Sequence, residues 1–243
     1  MIRINEKPSE DQSIDYPTVR DYYNQVYYRQ ADLDAKISRH LHRLAIRFQP
    51  WQGKRLLDVG CGSGGWLRAA SASGAHVTGV DLSEVALAVC RQSLPDAALC
   101  CSPAEHLPFV DSQFDFISCL GSLEHFLNPE VALKEMIRVA KPSARFLILV
   151  PNSGFLLRRL GLYSGTEQIA VREAIRCLQG WQELFESVGM MIDERWKDLH
   201  VLSASWMIRG PWHLWPARVA QALLLPLWPL AWQYQVYHLC RLS

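Results

Sequence analysis

The stretch Leu56-Leu57-Asp58-Val59-Gly60-Cys61-Gly62-Ser63-Gly64-Gly65-Trp66-Leu67 constrains the fold of this chain more than any other. Arg55–Val59 is short, apolar and β-branched at its end, the pattern of a parallel strand covered on both faces. The glycines after it permit a tight turn and a close approach that side chains would forbid. Residues 66–73 then continue at helical spacing. The first N–H groups of a helix have no intrahelical partner, so strand, glycine turn and helix start in direct succession read as a ligand-binding turn.

The glycines alone leave the ligand open. Gly60, Gly62 and Gly65 fit G-x-G-x-x-G, a pattern shared by dinucleotide sites and weak by itself. Two carboxylates narrow the choice. Asp81 closes the next apolar run (His76-Val77-Thr78-Gly79-Val80) about 20 residues on, where a carboxylate accepts ribose hydroxyls. Asp58, just before the first glycine, would repel a pyrophosphate across a short gap and suits an ammonium group instead. A ligand with a ribose and an amino-acid ammonium, but no phosphate, is S-adenosylmethionine.

Further along, the motifs fall into a familiar order. Leu57-Asp58-Val59-Gly60-Cys61-Gly62-Ser63-Gly64 resembles the first motif of the class I S-adenosylmethionine-dependent methyltransferases, and Gly79-Val80-Asp81-Leu82-Ser83 the second. Ala104-Glu105-His106-Leu107-Pro108-Phe109, then Phe114-Asp115-Phe116-Ile117, is similar to the segment entering the family's fourth strand. Leu123-Glu124-His125-Phe126, then Glu135 to Pro142, resembles the segment leaving that strand. The resemblance covers roughly residues 50–200. It implies a Rossmann-like, doubly wound α/β fold: a mostly parallel seven-stranded sheet with helices on both faces.

The resemblance also implies a cofactor set of Asp58, Gly60, Cys61, Gly62, Asp81, Leu82, Ala104, Glu105 and Leu120. Asp58 and Gly60 would hold the methionine end, Asp81 the ribose, and Leu82 and Ala104 the faces of the adenine. One departure stands out. The turn after the third strand ordinarily carries an acid that accepts from the adenine amino group, and here that position is Pro103. Proline has neither a side-chain acceptor nor an N–H, so one expected adenine contact is missing; the Ala104 N–H is left to reach the ring, and Ser102 and Glu105 are the candidates for the polar partner. His125, at the carboxyl end of the fourth strand, is the candidate general base, since its ordinary pKa lies near neutrality; the rival reading is that it packs the loop.

Composition excludes several other functions. With 25 basic and 24 acidic residues the chain lacks the broad cationic footprint of a nucleic-acid binder. Its seven cysteines are odd in number and scattered, without metal-ligand spacing, which argues for a reducing compartment and no metal site. Residues 1–17 are polar and charged, unlike a secretory leader, so a cytoplasmic location is expected.

The chain divides into three regions: a helical cap over residues 1–49, the cofactor-binding domain over 50–210, and an apolar segment over 211–243. In the cap, helices are expected at 18–30 and 32–48, the first bringing Tyr22, Tyr23, Tyr27, Tyr28 and Arg29 toward the pocket or packing them onto the domain. Strands are expected at 97–101, 114–120, 144–150, 190–196 and 201–207. The last segment lacks any fully charged side chain between Arg218 and Arg241. Pro226, Pro229 and three glutamines argue against a membrane-spanning helix there. Self-packing or a homodimer contact is expected ahead of peripheral association with a membrane interface.

The resulting expectation is methyl transfer to a small-molecule or lipid- or sugar-linked acceptor, at an oxygen. A nicotinamide-dependent oxidoreductase is the alternative, disfavoured by Asp58 and the later motifs. A cofactor-binding protein of the same fold without catalysis is the other, suggested by Pro103.

Overall fold

The computed structural model describes residues 15–28, 38–161, 174–199, 212, 215–224 and 227–243. Seven strands form one sheet in the order β3-β2-β1-β4-β5-β7-β6. They are β1 (Arg55–Val59), β2 (His76–Asp81), β3 (Ala98–Cys101), β4 (Phe114–Leu120), β5 (Ala140–Pro151), β6 (Met190–Lys197) and β7 (Gln235–Leu242). β1 to β5 pair in parallel, whereas β7 runs antiparallel to both β5 and β6. The strand order reverses between β1 and β4, and ligands of open parallel sheets bind outside the carboxyl ends of the strands at such a point.

Period-two alternation on the strands divides the interior into two cores. Leu57, Val59, Ile117 and Cys119 face one side and pack with Leu133, Met136, Trp181 and Phe185. Their cover is α5 (Pro129–Val139) and α7 (Leu178–Ser187). Leu56, Phe116, Leu147 and Leu149 face the other side, against Leu44, Trp51, Trp66, Leu67 and Leu87. That side is covered by α2 (Arg39–Arg47), α3 (Gly65–Ala72) and α4 (Glu84–Ser93). Side-chain caps fix the helix starts: Ser38, Ser83 and Asn128 each accept a backbone N–H of the first turn, a contact of about 1 kcal/mol each.

β4 occupies the expected residues, and β3 and β6 lie within one residue of their expected bounds. Three other segments differ. The first helix, α1 (Tyr16–Tyr22), begins earlier than expected because Asp15 caps it and Pro17 suits its first turn, and it continues as a π-helical turn over Tyr23–Tyr27. β5 begins at Ala140, directly after α5, instead of at 144. The strand expected at 201–207 lies outside the described residues. The seventh strand of the sheet is Gln235–Leu242, inside the apolar C-terminal segment where no strand is expected from sequence. There, Val236, Tyr237, His238, Leu239 and Cys240 are buried. Their apolar run reflects burial on both faces of a central strand.

Candidate functional site

At the carboxyl ends of β1, β2 and β4 lies a cavity of about 400 Å³. Its floor is the glycine turn. Gly60 (φ +74°) and Gly62 (φ +53°) are both left-handed, a region glycine enters without strain. Each also lets another loop come close. A Cβ on Gly60 would lie 2.5 Å from Ser122 Oγ, and one on Gly62 would lie 2.9 Å from the hydroxyl of Tyr28.

Three N–H groups of the turn are engaged within the protein. Gly60 and Cys61 donate to the Val80 carbonyl at 2.8 and 2.9 Å, and Gly62 donates to Asp81 Oδ2 at 2.8 Å. These donors tie β1 to β2 instead of forming an anion nest. Asp81 takes a second bond from the Ser83 N–H to Oδ1, also at 2.8 Å. Burial raises its pKa, and the bonds from Ser83 and Gly62 oppose that shift. An ionised carboxylate offers about four lone-pair sites, so two accepted bonds leave capacity for hydroxyl donors from a ligand.

Of the expected site residues, Gly60, Cys61, Gly62, Asp81, Leu82, Ala104, Glu105, Leu120 and His125 all line the cavity. Asp58 does not. Its side chain lies on the opposite face of β1 from Leu57 and Val59, beneath the turn and nearly fully buried. There Trp66 Nε1 donates to Ser118 Oγ at 2.9 Å, and Ser118 Oγ donates to Asp58 Oδ1 at 2.7 Å. β1–β4 register sets this pair directly opposite one another. Burial pushes the Asp58 carboxyl up to about 7. Through Ser118, Asp58 braces β1 against β4 under the site.

Two other residues are engaged within the protein. Glu105 accepts the Asn128 N–H at 2.9 Å, tying the loop after β3 to the start of α5. Its charge and hydrogen bond also raise the Tyr16 hydroxyl, whose largest shift comes from burial. Ser102 donates its hydroxyl proton to the His106 carbonyl at 2.7 Å. The Cys61 thiol turns inward, where its hydrogen bond with Cys90 and its burial raise its pKa.

The roof comes from the N-terminal helix. Tyr16, Val19, Tyr23, Tyr27 and Tyr28 line the cavity, whereas Tyr22 does not, and Arg29 lies outside the described residues. Burial is the largest cause of the upward shift at both Tyr23 and Tyr28, and the Asp81 charge adds to it. Tyr23 meets His125 edge to face at a centroid distance of 6.4 Å. Burial lowers the pKa of His125 to about 4, so its imidazole is neutral at physiological pH. Sequence reasoning missed Tyr16, Phe126 and Leu127. The Asp15-Tyr16-Pro17 helix start was a readable signal for the first, but nothing local marks the others.

The sequence profile of the family described as "Methyltransferase domain" matches residues 57–148. The ubiquinone biosynthesis O-methyltransferase of Azoarcus sp. is 37% identical over 108 residues, covering 42% of this chain and 46% of that protein. The enzyme of the same name from Aromatoleum aromaticum is 31% identical over 158 residues, covering 57% of this chain and 68% of that protein. The matches thus span between about half and two thirds of these relatives. Among solved structures, phosphoethanolamine N-methyltransferase 2 of Haemonchus contortus in complex with S-adenosyl-L-methionine has a similar fold. Its TM-score is 0.66 at 20% identity, over 95% of this chain and 60% of that one.

Proposed function

The chain belongs to the class I S-adenosylmethionine-dependent methyltransferases, and from that premise we propose that it methylates a hydroxyl oxygen on a small aromatic acceptor. The observation that carries the reading is the polarity of the glycine turn. The N–H groups of Gly60, Cys61 and Gly62 are spent on Val80 and Asp81, and the half-buried Asp81 carboxylate lines the cavity beside them. A pyrophosphate needs free donors at the turn, and the N–H groups of Gly60, Cys61 and Gly62 are already engaged, which disfavours a nicotinamide dinucleotide. A ribose needs an acceptor there, and Asp81 is one.

In this reading Asp81 holds the ribose hydroxyls, Leu82 and Ala104 flank the adenine, and the backbone at Gly60–Gly62 carries the methionine end. When bound, the cofactor supplies a methyl carbon already activated by its sulfonium. The protein's own contribution is then orientation. Tyr23, Tyr27, Phe126 and Leu127 give the remaining wall of the cavity an aromatic and apolar character that suits a flat ring. Neutral His125 beside Tyr23 is placed to accept a proton from the acceptor hydroxyl. The two ubiquinone-pathway relatives support an oxygen acceptor on such a ring.

The test supplies the purified chain with S-adenosylmethionine and, in parallel, a catechol, a hydroxylated quinol, a primary amine and a sugar. Mass spectrometry should show one added methyl on the phenolic acceptors only. Methylation confined to the amine would overturn the oxygen assignment. Cofactor binding with no methylated product would instead favour the non-catalytic alternative.

A further inference from the structure

We propose that the helix α8 (Trp215–Leu224), together with its flanks, docks the protein onto an anionic lipid surface. Trp215, Val219 and Leu223 recur at helical spacing on one side of α8, and all three side chains are exposed. Leu223 is 72% exposed, and beyond the helix Leu227 is 82% exposed. Trp212, just before it, is 77% exposed. A lone exposed apolar residue is ordinary, but a run of this kind on one element marks an interaction surface.

A second exposed set is tied to the segment that follows α8. Asn152, at the end of β5, donates from Nδ2 to the carbonyls of Ala231 and Gln233 at 2.8 and 3.1 Å. Phe155 packs on Tyr234 with ring centroids 4.9 Å apart. These contacts bind the segment after α8 to the start of a short helix, Leu156–Arg159, which carries exposed Leu157 and is followed by exposed Leu160. The second set follows the carboxyl end of β5, at the edge of the sheet that carries the cavity.

Charge identifies the occupant. From residue 199 to residue 243 the chain contains no Asp or Glu, whereas Arg209 and Arg218 flank the exposed tryptophans in sequence. Arg158 and Arg159 accompany Leu157 and Leu160. A two-fold contact with another copy would set this cationic apolar surface against itself. An anionic bilayer offers both the apolar layer and the opposite charge. Tryptophan suits that boundary, and five of the nine tryptophans lie beyond residue 200. Among the described residues no helix is long and apolar enough to cross a membrane, so the association is peripheral. It does not depend on the proposed methyl transfer.

The test is vesicle co-sedimentation of the full chain without cofactor or acceptor. Vesicles of phosphatidylcholine alone are compared with vesicles containing phosphatidylglycerol, at low and high salt. Binding should be at least about tenfold stronger with phosphatidylglycerol and weaken as salt rises. Leu223→Gln/Leu227→Gln should lose at least about tenfold of that binding, with its melting transition unchanged. Leu227→Gln alone provides a milder variant should the double one fold poorly. A wild-type chain that stays in the supernatant with every vesicle overturns the proposal. So does a solution dimer that the same substitutions convert to monomer, since the surface would then be covered by a second copy.

Discussion

Gly62 donates its backbone N–H to Asp81 Oδ2 at 2.8 Å, so one carboxylate both closes the glycine turn and faces the cavity above it. The two roles separate by substitution. Asp81→Asn keeps a carbonyl acceptor for one of the two N–H groups, whereas Asp81→Ala leaves Gly62 and Ser83 without that partner. We expect Asp81→Ala to weaken S-adenosylmethionine binding by about 1–3 kcal/mol, the cost of leaving buried polar groups unpaired. Asp81→Asn should lose less. Calorimetry that finds the alanine variant binding as tightly as wild type would remove Asp81 from the ribose site.

A base acts at the proton affinity its surroundings give it. Burial holds His125 near 4, so the imidazole is ready to accept a proton across the neutral range but accepts it weakly. His125→Gln is therefore expected to lower kcat by about 10²-fold, the lower end for a positioned base, with cofactor affinity preserved. The wild-type kcat should show no His125 titration above about pH 5. A folded variant that loses only a few-fold assigns His125 to packing against Tyr23.

Asp58 gives a prediction about stability. Its folded-state pKa of about 7 lies above the ordinary aspartate value of 3.8. Between those values the folded chain holds a proton that the unfolded chain releases, so this contribution is complete at low pH and is lost as pH rises through about 7. His125 and His238, both lowered to about 4 chiefly by burial, act in the opposite sense, and stability from their neutral forms is lost as pH falls from about 6.5 toward 4. Only a comparison of variants isolates one group. Asp58→Asn preserves an acceptor for Ser118 and cannot ionise. In the absence of cofactor its stability relative to wild type should therefore rise between about pH 4 and 7 and level off above. The total change is on the order of 4 kcal/mol at most. Denaturant melts at pH 5 and pH 8 measure it, and parallel profiles for the two proteins would show that Asp58 ionises freely.

Much of the site could be read in advance because its residues carry local signatures. A strand that must end in a glycine turn, and a second strand that must end in an acid, place Gly60, Gly62 and Asp81 with no knowledge of their neighbours. Phe114–Leu120 was legible for a similar reason, as a continuous apolar run between polar turns. The bond between Asp58 and Ser118 was not legible, because it is set across the sheet: Ser118 is 60 residues away, and nothing near Asp58 announces it. The engagement of Glu105 by Asn128, 23 residues on, has no local signal either. β7 was hidden differently. Its Val-Tyr-His-Leu-Cys core has the β-branched and aromatic character of a strand, but it sits in a longer apolar segment whose exposed helix has a similar composition.

That shared composition conceals two different kinds of apolar residue, and truncation should separate them. β7 lies between β5 and β6 and pairs with both along most of its length. Val236, Tyr237, Leu239 and Cys240 are each at most 2% exposed. At about 1.5–3 kcal/mol for each large apolar side chain, their loss is on the order of 10 kcal/mol, comparable to the whole stability of a typical domain. Deleting residues 235–243 would also leave facing edges of β5 and β6 without partners, which invites aggregation. The truncated chain is expected to be insoluble or to lack a cooperative melt, with or without lipid. Polar substitution of Leu223 and Leu227, already in water, should leave the melt unchanged. A truncated chain that stays monodisperse and melts near the wild-type temperature would show that β7 is dispensable to the sheet.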